Sequence, residues 1–175
     1  MGVGFPLLYW HHGLTPLLGI SLVYLCLLTL IFIIDIEHHL ILDKTVYPGM
    51  ALALAFSLFN PDLGENTAQR LISAVSGGAA GLIIMLLPFL LSRGGMGFGD
   101  VKMAALIGLI TGFPKVFIAL FLSIIAGGLV ATALLALRLK GRREAIPFGP
   151  FLAIGTMLVV IWGSDIQNWY QQLLA

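Results

Sequence analysis

Residues 14–34 read LTPLLGISLVYLCLLTLIFII and contain no charged side chain. An α-helix rises about 1.5 Å per residue and the hydrocarbon core of a bilayer is about 30 Å thick, so a run of this length predicts a membrane-spanning helix. The residue that ends the run, Asp35, is the first acid in the chain. The stretch therefore predicts a helix that crosses the membrane and places a carboxylate at its end.

Five further apolar runs follow. Three of them, 71–92, 116–137 and 145–164, are long enough to span, whereas 46–61 and 103–114 are shorter and bounded by charged residues. The short runs would cross by tilting, by using flanking residues or by lying inside the bundle. We predict one integral-membrane domain over residues 1–175, an all-α polytopic bundle of about six transmembrane helices.

The composition agrees with a membrane protein, because 59% of the residues are hydrophobic, 10% are charged and the mean hydropathy is +1.05. A soluble domain usually carries about 25% charged residues. This composition excludes a secreted disulfide scaffold, a nucleic-acid binder and a disordered regulator. Cys26 is the single cysteine, which excludes an intramolecular disulfide and a multi-cysteine zinc site.

The basic residues predict the orientation, since cytoplasmic loops retain Lys and Arg. With six alternating spans, seven of the nine basic residues fall on one face, and Arg70 and Lys115 fall on the other. The seven are Lys44, Arg93, Lys102, Arg138, Lys140, Arg142 and Arg143. We predict that this face is cytoplasmic and that both termini lie outside. The segment before Leu14 has no basic n-region, so we expect an exposed, aromatic-rich lead-in rather than a signal peptide.

Small residues within two of the long runs predict how the helices pack. Gly77, Gly78 and Gly81 lie in one run, and Gly127 and Gly128 lie in another. Small residues at such positions allow helix backbones to approach closely in a membrane. We predict close helix packing at both places, with helix bending as the alternative.

A second acid, Asp100, lies in a glycine-rich turn that reads GGMGFGDVK over residues 94–102, on the same predicted face as Asp35. Glycine permits positive φ and a close approach of another chain, which suits a site that binds an extended peptide. Two carboxylates within reach of one water can share a proton, so that one activates the water and the other protonates a carbonyl oxygen. This pattern indicates aspartyl protease chemistry that uses Asp35 and Asp100 and needs no metal.

The pattern resembles the prepilin peptidases of the GxGD type, which are membrane aspartyl proteases. The resemblance rests on Ile34-Asp35 followed by Asp43 and Pro48, on GFGDVK over 97–102, and on PFGP over 147–150, in the order of that family. It implies that Asp35 and Asp100 are the catalytic acids and that Asp43 is a supporting acid. The family commonly has proline where this chain has Leu42, so the turn between residues 40 and 44 is expected to differ.

The resemblance also implies the substrate, a prepilin or pseudopilin-like precursor with a basic leader in the cytoplasm and a hydrophobic helix in the membrane. Larger members carry a zinc-binding cysteine domain linked to methylation of the cleaved amino terminus, so we expect this chain to cleave without methylating. Glu37 and Asp43 are candidates for attracting the leader, or are solvated loop charges. The candidate substrate-binding and supporting residues are Gly97, Gly99, Lys102, Glu37, Asp43, Pro147 and Gly149. Membrane lipid is a further expected partner, and no nucleic acid or cofactor is expected.

The sequence supports other functions of the same residues less well. The adjacent pairs His11-His12 and His38-His39 lack the HExxH spacing of zinc proteases, and there is no GxSxG motif of a serine hydrolase. A small proton-coupled transporter that uses the acids as a proton relay is the alternative from another class. A transporter of this kind is expected to carry its acids near the midplane of the membrane and to consist of two repeated halves. The sequence shows no convincing internal repeat. A family member that only binds pilin-like helices is a third possibility.

Overall fold

The computed structural model describes residues 4–38, 40–91, 96–137 and 147–174. Within these ranges all regular structure is helical. The helices are α1 (Gly4–His12), α2 (Pro16–His38), α3 (Asp43–Ser57), α4 (Thr67–Leu91), α5 (Phe98–Thr111), α6 (Lys115–Ala136) and α7 (Gly149–Leu174), with a short 3-10 turn at Pro61–Leu63. The predicted all-α architecture is confirmed.

Each of the six apolar runs overlaps one of the helices α2 to α7, and each helix extends beyond its run. Among the described residues, four helices are long and apolar enough to cross a membrane, namely α2, α4, α6 and α7. The helices α3 and α5 have 15 and 14 residues, or about 22 and 21 Å at the helical rise, which is less than the bilayer core. The chain is an integral membrane protein, and a crossing by α3 and α5 stays a prediction.

The short helix α5 lies at the centre of the bundle, where it contacts α3, α4, α6 and α7. Its side chains are buried almost without interruption from Val101 to Thr111, and Leu106 and Ile107 have no exposed surface. By contrast, Leu90 of α4 and Phe121 of α6 are exposed on the outside of the bundle, where lipid is a favourable solvent. A short helix is tolerated at the centre because protein rather than lipid surrounds it.

The glycines of α4 bring that helix against the backbone of α5, as predicted. A Cβ atom on Gly77 would overlap the carbonyl oxygen of Gly108, and one on Gly81 would overlap the carbonyl oxygen of Ala104. In α6 only one of the two predicted glycines is closely packed. A Cβ on Gly127 would lie 3.1 Å from the Phe148 ring and 3.3 Å from the Phe151 ring of α7, whereas Gly128 faces open space. Close packing is therefore confirmed for α4 and for Gly127, and is wrong for Gly128.

The amino-terminal lead-in forms a helix, α1, which the sequence analysis did not predict. Trp10 is 90% exposed, in agreement with an exposed aromatic segment. Leu8, however, is fully buried against Leu18, Leu25 and Ile161. One apolar side chain thus anchors the lead-in on α2 and α7.

Candidate active site

Asp35 lies within α2, one turn before the helix ends at His38. The helix continues past the apolar run, because residues 35–38 contain no glycine or proline that would stop it. The Asp35 side chain is buried, with 4% of its surface exposed. A carboxylate this deep in an apolar bundle is costly unless neighbouring groups stabilise or share its charge, which marks Asp35 as a functional candidate.

Asp100 lies in the first turn of α5, where its backbone N–H donates to the Gly97 carbonyl oxygen at 3.2 Å. Burial, and secondly the charge of Asp35, raise the pKa of the Asp100 carboxyl from its ordinary value to about 6. Asp35 and Asp100 are far apart in the sequence, and the structure places them close enough for their charges to interact.

The two glycines of the GxGD motif, Gly97 and Gly99, do not adopt positive φ, and Gly99 instead allows a close approach of its neighbour. Gly97 caps α5 at φ −74°, and the positive-φ glycines of the described residues are Gly13, Gly64 and Gly112. A Cβ on Gly99 would lie 2.9 Å from the Cβ of Ile41, so the start of α5 packs against the segment that leads into α3. The positive-φ prediction is wrong for Gly97 and Gly99, while Gly94 and Gly95 lie outside the described residues.

Gly149 meets Asp35 directly. It is the first residue of α7 and is buried. A Cβ at this position would overlap Oδ2 of Asp35 and lie 2.9 Å from its Cγ. Pro147, two residues earlier, is half-buried. The PFGP segment therefore places the beginning of α7 against the Asp35 carboxylate, and only a residue without a side chain fits there.

Lys102 and Asp43 form an ion pair that joins the first turns of α5 and α3. The Lys102 Nζ atom donates to the two Asp43 carboxylate oxygens at 2.6 and 2.8 Å, and this hydrogen bond raises the pKa of the Lys102 ammonium. The same Nζ lies 5.4 Å from the centre of the Tyr47 ring and 5.2 Å from that of Phe98. The charge of Asp43 is thus engaged within the protein.

The Glu37 side chain forms no hydrogen bond or ion pair with the described part of the chain. Glu37 is exposed near the end of α2. Of the histidines, His39 and the side chains of His11 and His12 lie outside the described residues. No group of His, Cys, Asp and Glu that could hold a metal ion occurs in the described part of the chain.

Sequence reasoning missed Tyr47 and Phe98 as neighbours of Lys102, and Ile41 as the neighbour of Gly99. Phe98 could have been found from the sequence, because it lies inside the GxGD motif. Nothing local marks Ile41, whose role depends on how α5 packs.

Comparison with known proteins assigns a family to these features. A model of the type IV leader peptidase family matches residues 22–132, a range that contains Asp35, Asp43, Asp100 and Lys102. The comparison with solved structures found no match. The matched range ends before the PFGP segment.

Curated relatives extend the similarity over most of the chain. The prepilin leader peptidase/N-methyltransferase of Legionella pneumophila is 32% identical over 161 residues, which is 92% of this chain and 56% of that protein. The protein of the same name from Pseudomonas aeruginosa is 31% identical over 164 residues, covering 93% of this chain and 56% of its own length. The chain thus spans little more than half the length of these relatives.

Proposed function

Because the chain belongs to the type IV leader peptidase family, we propose that it is a membrane aspartyl endopeptidase that removes the basic leader from prepilin-like precursors. The observation that carries the proposal is the burial of Asp35 in α2, close enough to Asp100 in α5 for its charge to help raise the pKa of the Asp100 carboxyl. Two carboxyl groups that interact in a site of low polarity favour a state in which they hold one proton between them. That is the state an aspartyl protease needs.

The two acids begin the hydrolysis of a peptide bond with two proton transfers, one from water to a carboxylate and one from a carboxyl group to the substrate. The ionised carboxylate takes a proton from a water molecule as the water oxygen attacks the carbonyl carbon, and the protonated carboxyl gives its proton to the carbonyl oxygen. The resulting tetrahedral gem-diol collapses when the carboxyl that was protonated by the water gives that proton to the amide nitrogen and the C–N bond breaks. The other carboxylate takes the proton of a gem-diol hydroxyl as the carbonyl re-forms. A new carboxyl group and a new amine leave, and the two acids again share one proton.

The surroundings of the pair suit an extended peptide. Gly97 leaves space beside Asp100 for a backbone to approach, because a Cβ there would come no closer than 3.8 Å to the Asp100 carboxylate, whereas Ile41 already fills the space beside Gly99. Since Asp43 is engaged by Lys102, we assign the attraction of a basic leader to the exposed Glu37 and give Asp43 and Lys102 a positioning role. Their ion pair ties the first turn of α5, which carries Asp100, to the segment that follows the helix of Asp35.

We place this site on the cytoplasmic side of the membrane, with both termini outside. The support is the distribution of basic residues, seven of nine on one face when α3 and α5 also cross. A prepilin leader is basic and cytoplasmic in the family that this chain resembles. Orientation can be measured with single cysteines placed in the loops, after Cys26 is replaced by serine.

The proposal is tested with the purified chain in liposomes and a purified prepilin-like precursor. We expect a shortened product whose new amino terminus lies at the boundary between the basic leader and the hydrophobic helix. Proton flux in the same liposomes tests the alternative, a proton-coupled transporter. Flux without cleavage would replace the proposed function with transport, and cleavage at unrelated sites would contradict the assigned substrate.

The pH dependence of cleavage follows from the pKa of Asp100. Below about pH 6 this carboxyl is protonated, and as the pH rises through about 6 it loses its proton. With both acids ionised, no proton remains for the carbonyl oxygen. We therefore expect kcat/KM to fall above that pH, approaching roughly tenfold per pH unit. Initial rates across a pH series measure this, and a rate that continues to rise far above pH 6 would contradict it.

Gly149→Ala is expected to lower kcat by about 100-fold, because a displacement of a catalytic group by about 1 Å can cost that much. The new methyl group would push the Asp35 carboxylate away from its position. KM is expected to change little, since the leader contacts remain. Gly128→Ala is the matched control, because Gly128 faces open space. Equal kcat values for the two variants would show that Gly149 does not position Asp35.

A further inference from the structure

A second polar cluster lies at the end of α5 remote from Asp100. Thr111 ends this helix, about 16 Å along the axis from Asp100 at the helical rise, and Lys115 begins α6. Between them and α2 is a small cavity of about 30 Å³. The polar residues that line it are Ser21, Tyr24, Asn60, Asp62, Thr111 and Lys115.

Lys115 brings a buried charge to this cavity. Its side chain is nine-tenths buried, and its Nζ donates to the Asp62 carbonyl oxygen at 3.2 Å and to Ser164 Oγ at 3.0 Å. No carboxylate of the described residues forms an ion pair with it, although the Asp62 carboxylate is close enough to interact with its charge. An ammonium group has three donors, so one N–H of Lys115 remains for another acceptor.

Tyr24 faces the same cavity from α2. Its side chain is 2% exposed, and its ring packs edge-on against Phe56 with the ring centres 5.8 Å apart. The hydroxyl group has no hydrogen-bond partner among the described residues. A buried hydroxyl that lacks a partner costs free energy. The cluster therefore combines a buried donor of Lys115 with a buried hydroxyl that can both donate and accept.

The size and chemistry of the cavity select the ligand. A water molecule needs at least about 10–15 Å³ on this measure, so the cavity has room for about two. Thr111 Oγ1 donates to the Ile107 carbonyl oxygen at 2.9 Å, which leaves its lone pairs as acceptors. A small anion would meet these acceptors and Asp62, and a metal cation would meet Lys115. Water suits the mixture of donors and acceptors.

We propose that this cavity is a built hydration site, in which ordered water links the Lys115 ammonium to the Tyr24 hydroxyl and the Asp62 carboxylate. Each water completes the hydrogen bonds of groups that the protein leaves unpaired. The site joins the Pro61–Leu63 turn to α2, α5 and α6. It holds the end of the bundle opposite the acids, and it does not depend on peptidase activity.

Tyr24→Phe tests the hydration site, because the ring and its contact with Phe56 remain while the hydroxyl is removed. If water links Tyr24 to Lys115, the midpoint of thermal unfolding in detergent is expected to fall by about 3 °C. If the hydroxyl is dry and unpaired, its removal relieves a cost and the midpoint rises. A rise in the midpoint, or no change, overturns the proposal.

Two further measurements separate a water link from independent effects. The combined variant Tyr24→Phe/Lys115→Met is expected to lose less than the sum of the two single losses, since either change alone breaks the link. Additive losses would contradict it. A crystal structure at a resolution that shows ordered water should place water within hydrogen-bond distance of Tyr24 Oη and Lys115 Nζ, and a dry cavity there would overturn the site.

Discussion

Asparagine in place of Asp35 or of Asp100 is expected to lower the rate of leader cleavage by about three orders of magnitude, within the range that general acid–base catalysis contributes. Asparagine has nearly the same shape as aspartate but neither takes a proton from water nor gives one to the carbonyl oxygen. Cleavage of a prepilin-like precursor, followed as a shift in gel mobility, measures the loss. The thermal unfolding midpoint shows whether each variant is folded.

The two acids are expected to act as one unit. The double variant should therefore be no slower than the slower single variant, because removal of either acid already disables the shared proton. Glu65→Gln is the matched control, since Glu65 is an exposed acid in the loop before α4, and its rate should equal that of the unaltered chain. Substantial cleavage by either single variant would show that the acid it lacks is not catalytic.

Gly108→Ala is expected to lower the free energy of unfolding by about 3 kcal/mol, at the upper end of the usual cost of overpacking. A Cβ on Gly108 would overlap the carbonyl group of Gly77 and lie 2.7 Å from the backbone nitrogen of Gly78. Backbone atoms cannot rotate away as a flexible side chain can, so α4 would have to move off α5. For a chain of this size the midpoint of thermal unfolding should fall by about 10 °C.

The control for Gly108→Ala is the same change at Gly19 of α2, where nothing lies within 4 Å of a new Cβ. Alanine is the better helix former by roughly 0.5–1 kcal/mol, so Gly19→Ala is expected to raise the midpoint slightly. Unfolding is followed by tryptophan fluorescence in detergent. A Gly108→Ala protein as stable as the unaltered chain would show that α4 and α5 do not need glycine at this crossing.

Much of the fold follows from local features of the sequence. The length of an uncharged apolar run decides whether a segment can cross a membrane as a helix, and each of the six runs overlaps a helix. The two candidate acids stood out because charge is scarce, at 10% of the residues. The glycines of α4 predicted close helix packing, although they did not identify α5 as the partner helix.

The tertiary structure decided which residues meet. It placed the short α5 at the centre, set Gly149 against Asp35, engaged Asp43 with Lys102 and brought Lys115 to the cavity of Tyr24. It also showed Gly97 at negative φ, where the motif suggested positive φ. Apolar run length and helix propensity depend on neighbouring residues in the chain. Contacts between residues far apart in sequence depend on how side-chain shapes fit when whole helices pack, and no single segment encodes that fit.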